Sequence, residues 1–266
     1  MTITKENYRA FPAVNMSLLK GIISGGSLAH AKAGPKASWE VLNFGTQFHT
    51  ALLEPHLFEP KIKDYNLRAK DGREQFAHDK LNNVQLLKED ELESIMAMVE
   101  EVRTHTQLCE LLDHPDAQVE TPLLFRDPRT NTLMKSQIDL YTKDSDGNNW
   151  LIDLKTTRSV AGFSRDFFRM NYDLQISGYR RALFQNNSPV DVCAILAVEK
   201  EPPYAAQLFI ADEEILWIGG EKVDEALDQY LEAQKSGDHR PPLIQHLTAP
   251  AWLSSRYENK EMFSAL

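Results

Sequence analysis

The sequence predicts an α/β domain with a mixed central sheet flanked by helices, and three observations predict it. Apolar residues recur at helical spacing through the first part of the chain, the period changes to two after Pro115, and a continuous apolar strand at 192–198 follows one further helix. Helices, then three strands, then helix, strand, strand and helix is the order of a sheet covered on both faces. With 266 residues, 42% of them apolar, the chain is long enough for one large core. One domain is expected over 1–240, with a helical part at 1–115 and a sheet with its helices at 116–240; residues 241–266 read as a tail.

Each element has its own signal. Asn15 caps a short helix that begins Met16-Ser17-Leu18-Leu19 and stops at the glycine pair Gly25-Gly26. A second helix, 39–54, carries Phe44, Phe48, Ala51 and Leu52 on one stripe, with His49 beside it, and ends at Pro55. The polar stretch 61–85, with Asp71-Gly72 as a turn, suits an exposed excursion or lid. Leu92, Ile95, Met96, Val99 and Val102 predict one long amphipathic helix over 89–112. Strands follow at 120–125, 133–141 and 149–155, joined by turn clusters at 127–131 and 143–149, so a three-stranded antiparallel meander is expected. Next come a helix containing Gln175 and Tyr179, strands at 192–198 and 205–210, and a last helix at 213–235.

Composition excludes several classes. The two cysteines, Cys109 and Cys193, both stand in apolar surroundings and cannot build a disulfide framework, a four-thiolate zinc site or an iron–sulfur cluster. No apolar run approaches the roughly 20 residues of a membrane helix, and nothing before Met16 reads as a signal peptide, so a cytoplasmic protein with no membrane contact is expected. Phosphate loops, zinc-protease helices and serine-hydrolase elbows are missing from the sequence. Asp144-Ser145-Asp146-Gly147-Asn148 starts like a calcium loop but lacks its later acids, which leaves a hairpin turn. A formal charge of -10, from 29 basic and 39 acidic residues, argues against nucleic-acid binding through bulk positive charge.

The chemistry concentrates in Asp139 and in Asp153-Leu154-Lys155. Side chains two apart on a strand share a face about 7 Å apart, so Asp153 and Lys155 point together while Ile152 and Leu154 point into the opposite apolar layer. Folding the preceding strand back brings Asp139 to the same place. Two carboxylates and an ammonium at a buried sheet edge are costly unless a cation matches them. Mg2+ fits, held by the aspartates, the Leu154 carbonyl and a phosphate oxygen, with Mn2+ as a substitute. Lys155 can then stabilise charge developing on phosphorus or orient the attacking water.

Asp139, Asp153-Leu154-Lys155 and the helix pair Gln175 and Tyr179 together resemble the PD-(D/E)XK nuclease superfamily, and within it the exonuclease VIII (RecE) branch. The likeness continues in Gly45-Thr46-Gln47-Phe48-His49, similar to that branch's helix-borne histidine motif, and in Asn15-Met16-Ser17-Leu18-Leu19-Lys20, similar to its opening helix. The resemblance implies a restriction-endonuclease-like core, His49 as a metal ligand with Asp139 and Asp153, and Lys155 as the catalytic ammonium, with Gln175 and Tyr179 in support. Glu120, on the strand before the first motif, is a candidate supporting acid. One departure stands out: relatives carry an arginine beside the first aspartate, whereas this chain reads Lys135-Ser136-Gln137-Ile138-Asp139, and Lys135 is the candidate to supply that charge.

The negative total is uneven. Between Lys155 and Arg181 six basic residues (Lys155, Arg158, Arg165, Arg169, Arg180, Arg181) face two acidic ones, a balance of +4 that leaves -14 for the remainder. This segment, with the hydroxyls of Thr156, Thr157 and Ser159, is the candidate DNA track. The resemblance further implies digestion of linear duplex DNA from its ends in the 5′ to 3′ direction, leaving a 3′ strand for recombination. It also implies a ring-shaped homo-oligomer, a trimer or tetramer, and a single-strand annealing partner, for which the tail with Trp252, Tyr257 and Phe263 is a candidate contact. A structure- or sequence-selective endonuclease of the same fold and a catalytically silent DNA-binding module remain alternatives.

Overall fold

The computed structural model describes residues 2–34, 38–82, 84–241 and 243–244, so most of the tail, with its three aromatics, lies outside the described residues. The chain enters through a two-residue strand, β1 (Val14–Asn15), and helix α1 (Met16–Gly25), whose first turn is capped by Asn15 accepting from the Leu18 amide at 2.8 Å. Gly26, at φ 68°, ends it in the left-handed conformation that favours glycine. A short α2 (Leu28–Lys32) and then α3 (Trp39–Leu53) follow, the latter closed by Pro55 as expected.

The excursion is more ordered than its polarity suggests. It holds β2 (Lys61–Ile62), helix α4 (Lys70–Leu81) and β3 (Leu86–Leu87), with β2 and β3 paired in parallel. Asp79 draws in both the Lys61 ammonium and the Tyr65 hydroxyl, which ties the helix to the small sheet. The helix expected at 89–112 is two: α5 (Glu89–Thr104) and α6 (Thr106–Leu112), broken where His105 takes an extended conformation.

The meander is present as β4 (Gln118–Arg126), β5 (Leu133–Lys143) and β6 (Asn149–Thr157). After α7 (Phe163–Arg169) and α8 (Tyr172–Gln185), β7 (Val192–Glu199) lies parallel to β6. β8 (Ala206–Ala211) returns antiparallel to it, and α9 (Glu213–Ser236) closes the domain. The sheet order is β1-β5-β6-β7-β8, with β4 on the other edge of β5, so the sheet is mixed as predicted.

Two apolar layers sandwich this sheet. Ile152 and Leu154 pack with Phe48 and Leu52 of α3 and with Ile95 and Met98 of α5. On the opposite face Leu151 packs with Ile176 and Leu183 of α8, and Met134 with Leu19 and Ile22 of α1 and Val223 of α9. Close approaches fix this second layer. A Cβ on Gly219 would stand 2.1 Å from the Asp173 carbonyl oxygen, and one on Gly178 would stand 2.2 Å from Met16 Sδ. Gly219 lets α9 meet the backbone of α8, and Gly178 leaves room on α8 for the Met16 side chain of α1. No helix among the described residues is long and apolar enough to cross a membrane.

Candidate functional site

The site lies at a fork in the sheet. β5 and β6 pair only from Leu140↔Ile152 to Lys143↔Asn149, and beyond those rows the strands part. The amide this frees on Leu154 is taken by the Asp139 carboxylate, Oδ2 at 2.7 Å. Opposite Asp139 on β4, between the pairs Val119↔Leu140 and Thr121↔Ile138, stands Glu120 with φ 47°. A non-glycine residue held there costs of order 1 kcal/mol. The side-chain alternation breaks at the same row, because Leu140 packs under α3 while Ile138 packs under α8. This local reversal turns Glu120 and Asp139 toward α3 and its histidine.

His49 Nδ1 is 3.5 Å from Glu120 Oε1 and 3.7 Å from Asp139 Oδ2. One donor atom from each of the three lies within 4.8 Å of the others, an arrangement that can hold a metal ion. Burial opposes a charged imidazole, but Asp139 and Glu120 outweigh it and raise the His49 pKa. One imidazole and two carboxylates suit Mn2+ and similar first-row cations as well as Mg2+.

Asp153 sits beside this trio and is 1% exposed. Its Oδ1 accepts from Gln175 Nε2 at 3.1 Å, and its Oδ2 is ion-paired with Lys155 but accepts no well-angled hydrogen bond. Burial raises the Asp153 pKa; the pull of Lys155 does not cancel it, and the charge of Asp139 adds to it. Lys155 is the converse: burial works against its charge, but Asp153 and Asp139 prevail and raise its pKa. A cation-hungry pocket results, with three carboxylates and an under-bonded oxygen around one lysine.

The helix pair packs as the sequence spacing suggests. The Gln175 amide donates to Asp153 and, at 2.9 Å, to the Tyr179 hydroxyl. Its carbonyl accepts from Lys20 Nζ at 2.7 Å, which fixes which end of the amide faces Asp153. Lys20 comes from α1, one turn beyond Met16, the residue seated on Gly178 of α8. Burial and then repulsion from Lys155 lower the Lys20 pKa to about 8. Tyr172 gives both ammoniums an aromatic face, 4.6 Å from Lys20 and 5.2 Å from Lys155.

Of the residues singled out in the sequence, His49, Asp139, Asp153, Lys155, Gln175 and Tyr179 are brought together. Glu120, expected as a supporting acid, stands in the trio itself. Leu154 offers its carbonyl to Lys155 Nζ at 3.0 Å. Four of the residues expected to meet DNA are engaged within the protein. Lys135 is 4% exposed, and its ammonium donates to the carbonyls of Tyr8, Arg9 and Phe11, so it anchors the N-terminal segment and has no proton left for phosphate. Arg181 is held between Asp127 and Asp224, at 2.7 Å from each. Arg180 makes a two-pronged pair with Glu213 at 3.0 Å. Thr157 is buried, its hydroxyl bonded within the turn to Ser159. Arg169 pairs along its own helix with Asp166, Thr156 is half-buried, and Arg158 and Arg165 are exposed and enter no ion pair among the described residues. Sequence reasoning gave no role to Lys20, Tyr172 or Gln137, whose amide donates to Glu120. The opening-helix motif carried Lys20 into view but not its place. The calcium-like loop is a turn, with Asp144 accepting from the Asp146 and Asn148 amides.

A family model described as a PDDEXK-like domain of unknown function (DUF3799) matches residues 15–243. The chain belongs to this family. Its sheet and helices are accordingly restriction-endonuclease-like. Among solved structures, a protein of Eubacterium rectale named "Putative exonuclease" superposes with a TM-score of 0.62 at 14% identity, covering 97% of this chain and 99% of its own. A phage related exonuclease from Haemophilus somnus 129PT gives a TM-score of 0.35 at 13% identity, covering 87% of this chain and 99% of its own. No curated protein matches the PDDEXK-like chain.

Proposed function

We propose that this PDDEXK-like protein is a divalent-metal-dependent exodeoxyribonuclease that degrades linear duplex DNA from its ends, 5′ to 3′, and leaves a 3′ strand for recombination. The observation that carries the reading is the meeting of His49, Glu120 and Asp139 beside the Asp153–Lys155 pair at the fork. The exonuclease name of the Eubacterium rectale structure and the sequence resemblance support the reaction class. His49, Glu120 and Asp139 would hold the ion, Mg2+ or Mn2+, with Asp153 as the adjoining carboxylate. When bound, the ion polarises a phosphoryl oxygen and offsets the charge of the attacked phosphate.

The protein's own groups do the rest. Asp153 keeps Lys155 charged and in place, and the Lys155 ammonium stabilises the charge that develops on phosphorus. Gln175 orients Asp153, with Tyr179 and Lys20 fixing Gln175. Arg158, Arg165 and Thr156, leading out of β6, contact the backbone of the duplex. A ring-shaped homo-oligomer, a single-strand annealing partner and a cytoplasmic setting belong to the same proposal. Incubation of purified protein with end-labelled linear duplex, with and without Mg2+ or Mn2+, tests it. Release of 5′ label that needs the metal, and that Asp153→Ala and Lys155→Ala abolish, is the expected result. Equal digestion by these variants would refute the assignment, and cutting of covalently closed circles would replace it with an endonuclease.

A further inference from the structure

The two ammoniums at the fork share one aromatic ring, and that ring closes a circuit. Lys20 Nζ donates to the Gln175 carbonyl at 2.7 Å, the Gln175 amide donates to Asp153 at 3.1 Å, and Asp153 is ion-paired with Lys155. Tyr172 completes the loop, with Lys20 Nζ 4.6 Å and Lys155 Nζ 5.2 Å from its ring centroid. Tyr172 and Gln175 stand three apart on α8, so one helix face carries both. The start of that helix is pinned: Asn171, at φ 51°, donates to Ser24 Oγ at 3.0 Å and accepts from Lys222 Nζ at 3.2 Å.

Two observations say what the ring does. The first is where the other partners of Lys155 come from. Asp153 and the Leu154 carbonyl, 3.0 Å away, both belong to its own strand. A lysine stem is flexible, and partners on the same strand do not fix how far it leans across the fork. Tyr172 meets it from α8, and a misplacement of about 1 Å at a reacting centre can cost about 10²-fold in rate. The second is how the ring is held. Phe163, 2% exposed, stacks on Tyr172 with centroids 6.0 Å and planes 18° apart, Phe167 meets it edge-on at 6.4 Å, and Phe209 backs Phe163 at 4.9 Å. A ring buttressed in this way does not follow the lysine; the lysine takes its place from the ring. Of the five residues in the loop two are cations and Asp153 alone is an anion, so the negative π face supplies the remaining counter-charge.

We infer that Tyr172 is the positioning residue for Lys155: its π face holds the Lys155 and Lys20 ammoniums in register and so sets the place from which Lys155 meets the phosphate. The inference deepens the proposed function, and its consequence for turnover rests on that reading. It concerns the ring rather than the hydroxyl, which separates Tyr172 from Tyr179, whose hydroxyl accepts from Gln175.

The test changes the electronics of the ring without its shape. Phenylalanine analogues with one, two or three fluorines, placed at position 172 of the full chain, are nearly isosteric but have progressively weaker π faces. On linear duplex at saturating metal, kcat is expected to fall with each fluorine while KM and the denaturation midpoint stay constant, a pattern that packing alone does not give. Tyr172→Phe is expected to keep turnover within about twofold and Tyr172→Leu to lose about thirtyfold, the rate equivalent of ~2 kcal/mol for a desolvated cation–π contact. A second measurement needs neither metal nor DNA. The Hε proton resonances of Lys20 and Lys155, assigned with Lys20→Met and Lys155→Ala, are expected upfield of those of free lysine in the wild type and at the ordinary position in Tyr172→Leu. Constant kcat across the fluorinated series in an active protein, a fall that tracks the denaturation midpoint, or unshifted Hε resonances in the wild type would each overturn the inference. Upfield resonances in a protein that digests nothing in Mg2+ or Mn2+ would instead sink the nuclease reading and leave the hold of Tyr172 on Lys155 standing.

Discussion

Lys20 shows how a residue without a motif of its own is drawn into a site. It touches neither the acids of the trio nor Asp153 directly; it holds the Gln175 carbonyl, and Gln175 holds Asp153. Partners at this remove are typically worth roughly 10–100-fold in activity, and that is the fall in turnover expected for Lys20→Met, measured on linear duplex with saturating metal. Stability should move the other way. The Lys20 pKa is lowered to about 8 by burial and by Lys155, whereas an unfolded lysine titrates near 10.4. The native state therefore binds the proton less tightly than the unfolded chain, and the charge opposes folding. That opposition is full below about pH 8 and fades by about pH 10.4. Lys20→Met should accordingly raise the denaturation midpoint at pH 7 and leave it unchanged near pH 10.5. A variant that is slower and less stable at pH 7 would make Lys20 a packing residue. The residues that were legible in the sequence, Asp139, Asp153, Lys155, Gln175 and Tyr179, are those placed by strand and helix periods. Glu120 and Gln137 were not placed, because their positions depend on the reversal of the pleat at Glu120, and Pro122, two residues on, marks an edge strand without fixing where the pleat reverses.

At the scale of elements, hydrophobic period and caps located the long core helices and strands β4 to β8 but not α2, α4, α7 or the two-residue strands β1, β2 and β3, and the departures have local causes. α5 and α6 read as one helix because the apolar spacing runs on to Leu112, while Thr104 bonds back to the Glu101 carbonyl and His105 leaves the helix with no proline to mark the break. The excursion read as unstructured because its order rests on polar ties and aromatic edges rather than an apolar stripe. Asp79→Ala, which removes the partner of both Lys61 and Tyr65, should speed hydrogen exchange across 61–88 while leaving exchange in β6 and β7 unchanged. Acceleration throughout the sheet would show that the excursion is part of the global folding unit. The α8–α9 contact predicts the opposite, a global effect: Gly219→Ala forces a methyl against the Asp173 carbonyl and the Ser177 hydroxyl. Overpacking of this kind costs about 1–3 kcal/mol, readable as a lower urea midpoint at constant slope.

For the whole molecule, the sign of the electrostatic asymmetry was legible in the sequence but its location was not. Most of the expected basic track is matched internally: Arg180 faces Glu213, Arg181 faces Asp127 and Asp224, Arg169 faces Asp166, and Lys155 faces Asp153. The cations left to meet a duplex are Arg158 and Arg165 beyond β6, together with the lysines at the fork. A molecule of net charge -10 then binds DNA only where these outweigh the rest. Binding of linear duplex, measured in EDTA as a function of salt, counts the phosphates contacted, because each contact contributes about 0.9 to the slope of log affinity against log salt. Arg158→Ala/Arg165→Ala should lower that slope by about 1.8, two contacts' worth. Arg180→Ala should leave it where it was, since the charge it removes is paired with Glu213. Equal loss of slope in the two variants would restore the whole 155–181 segment as the DNA track and would mean that the Arg180–Glu213 pair opens when DNA binds.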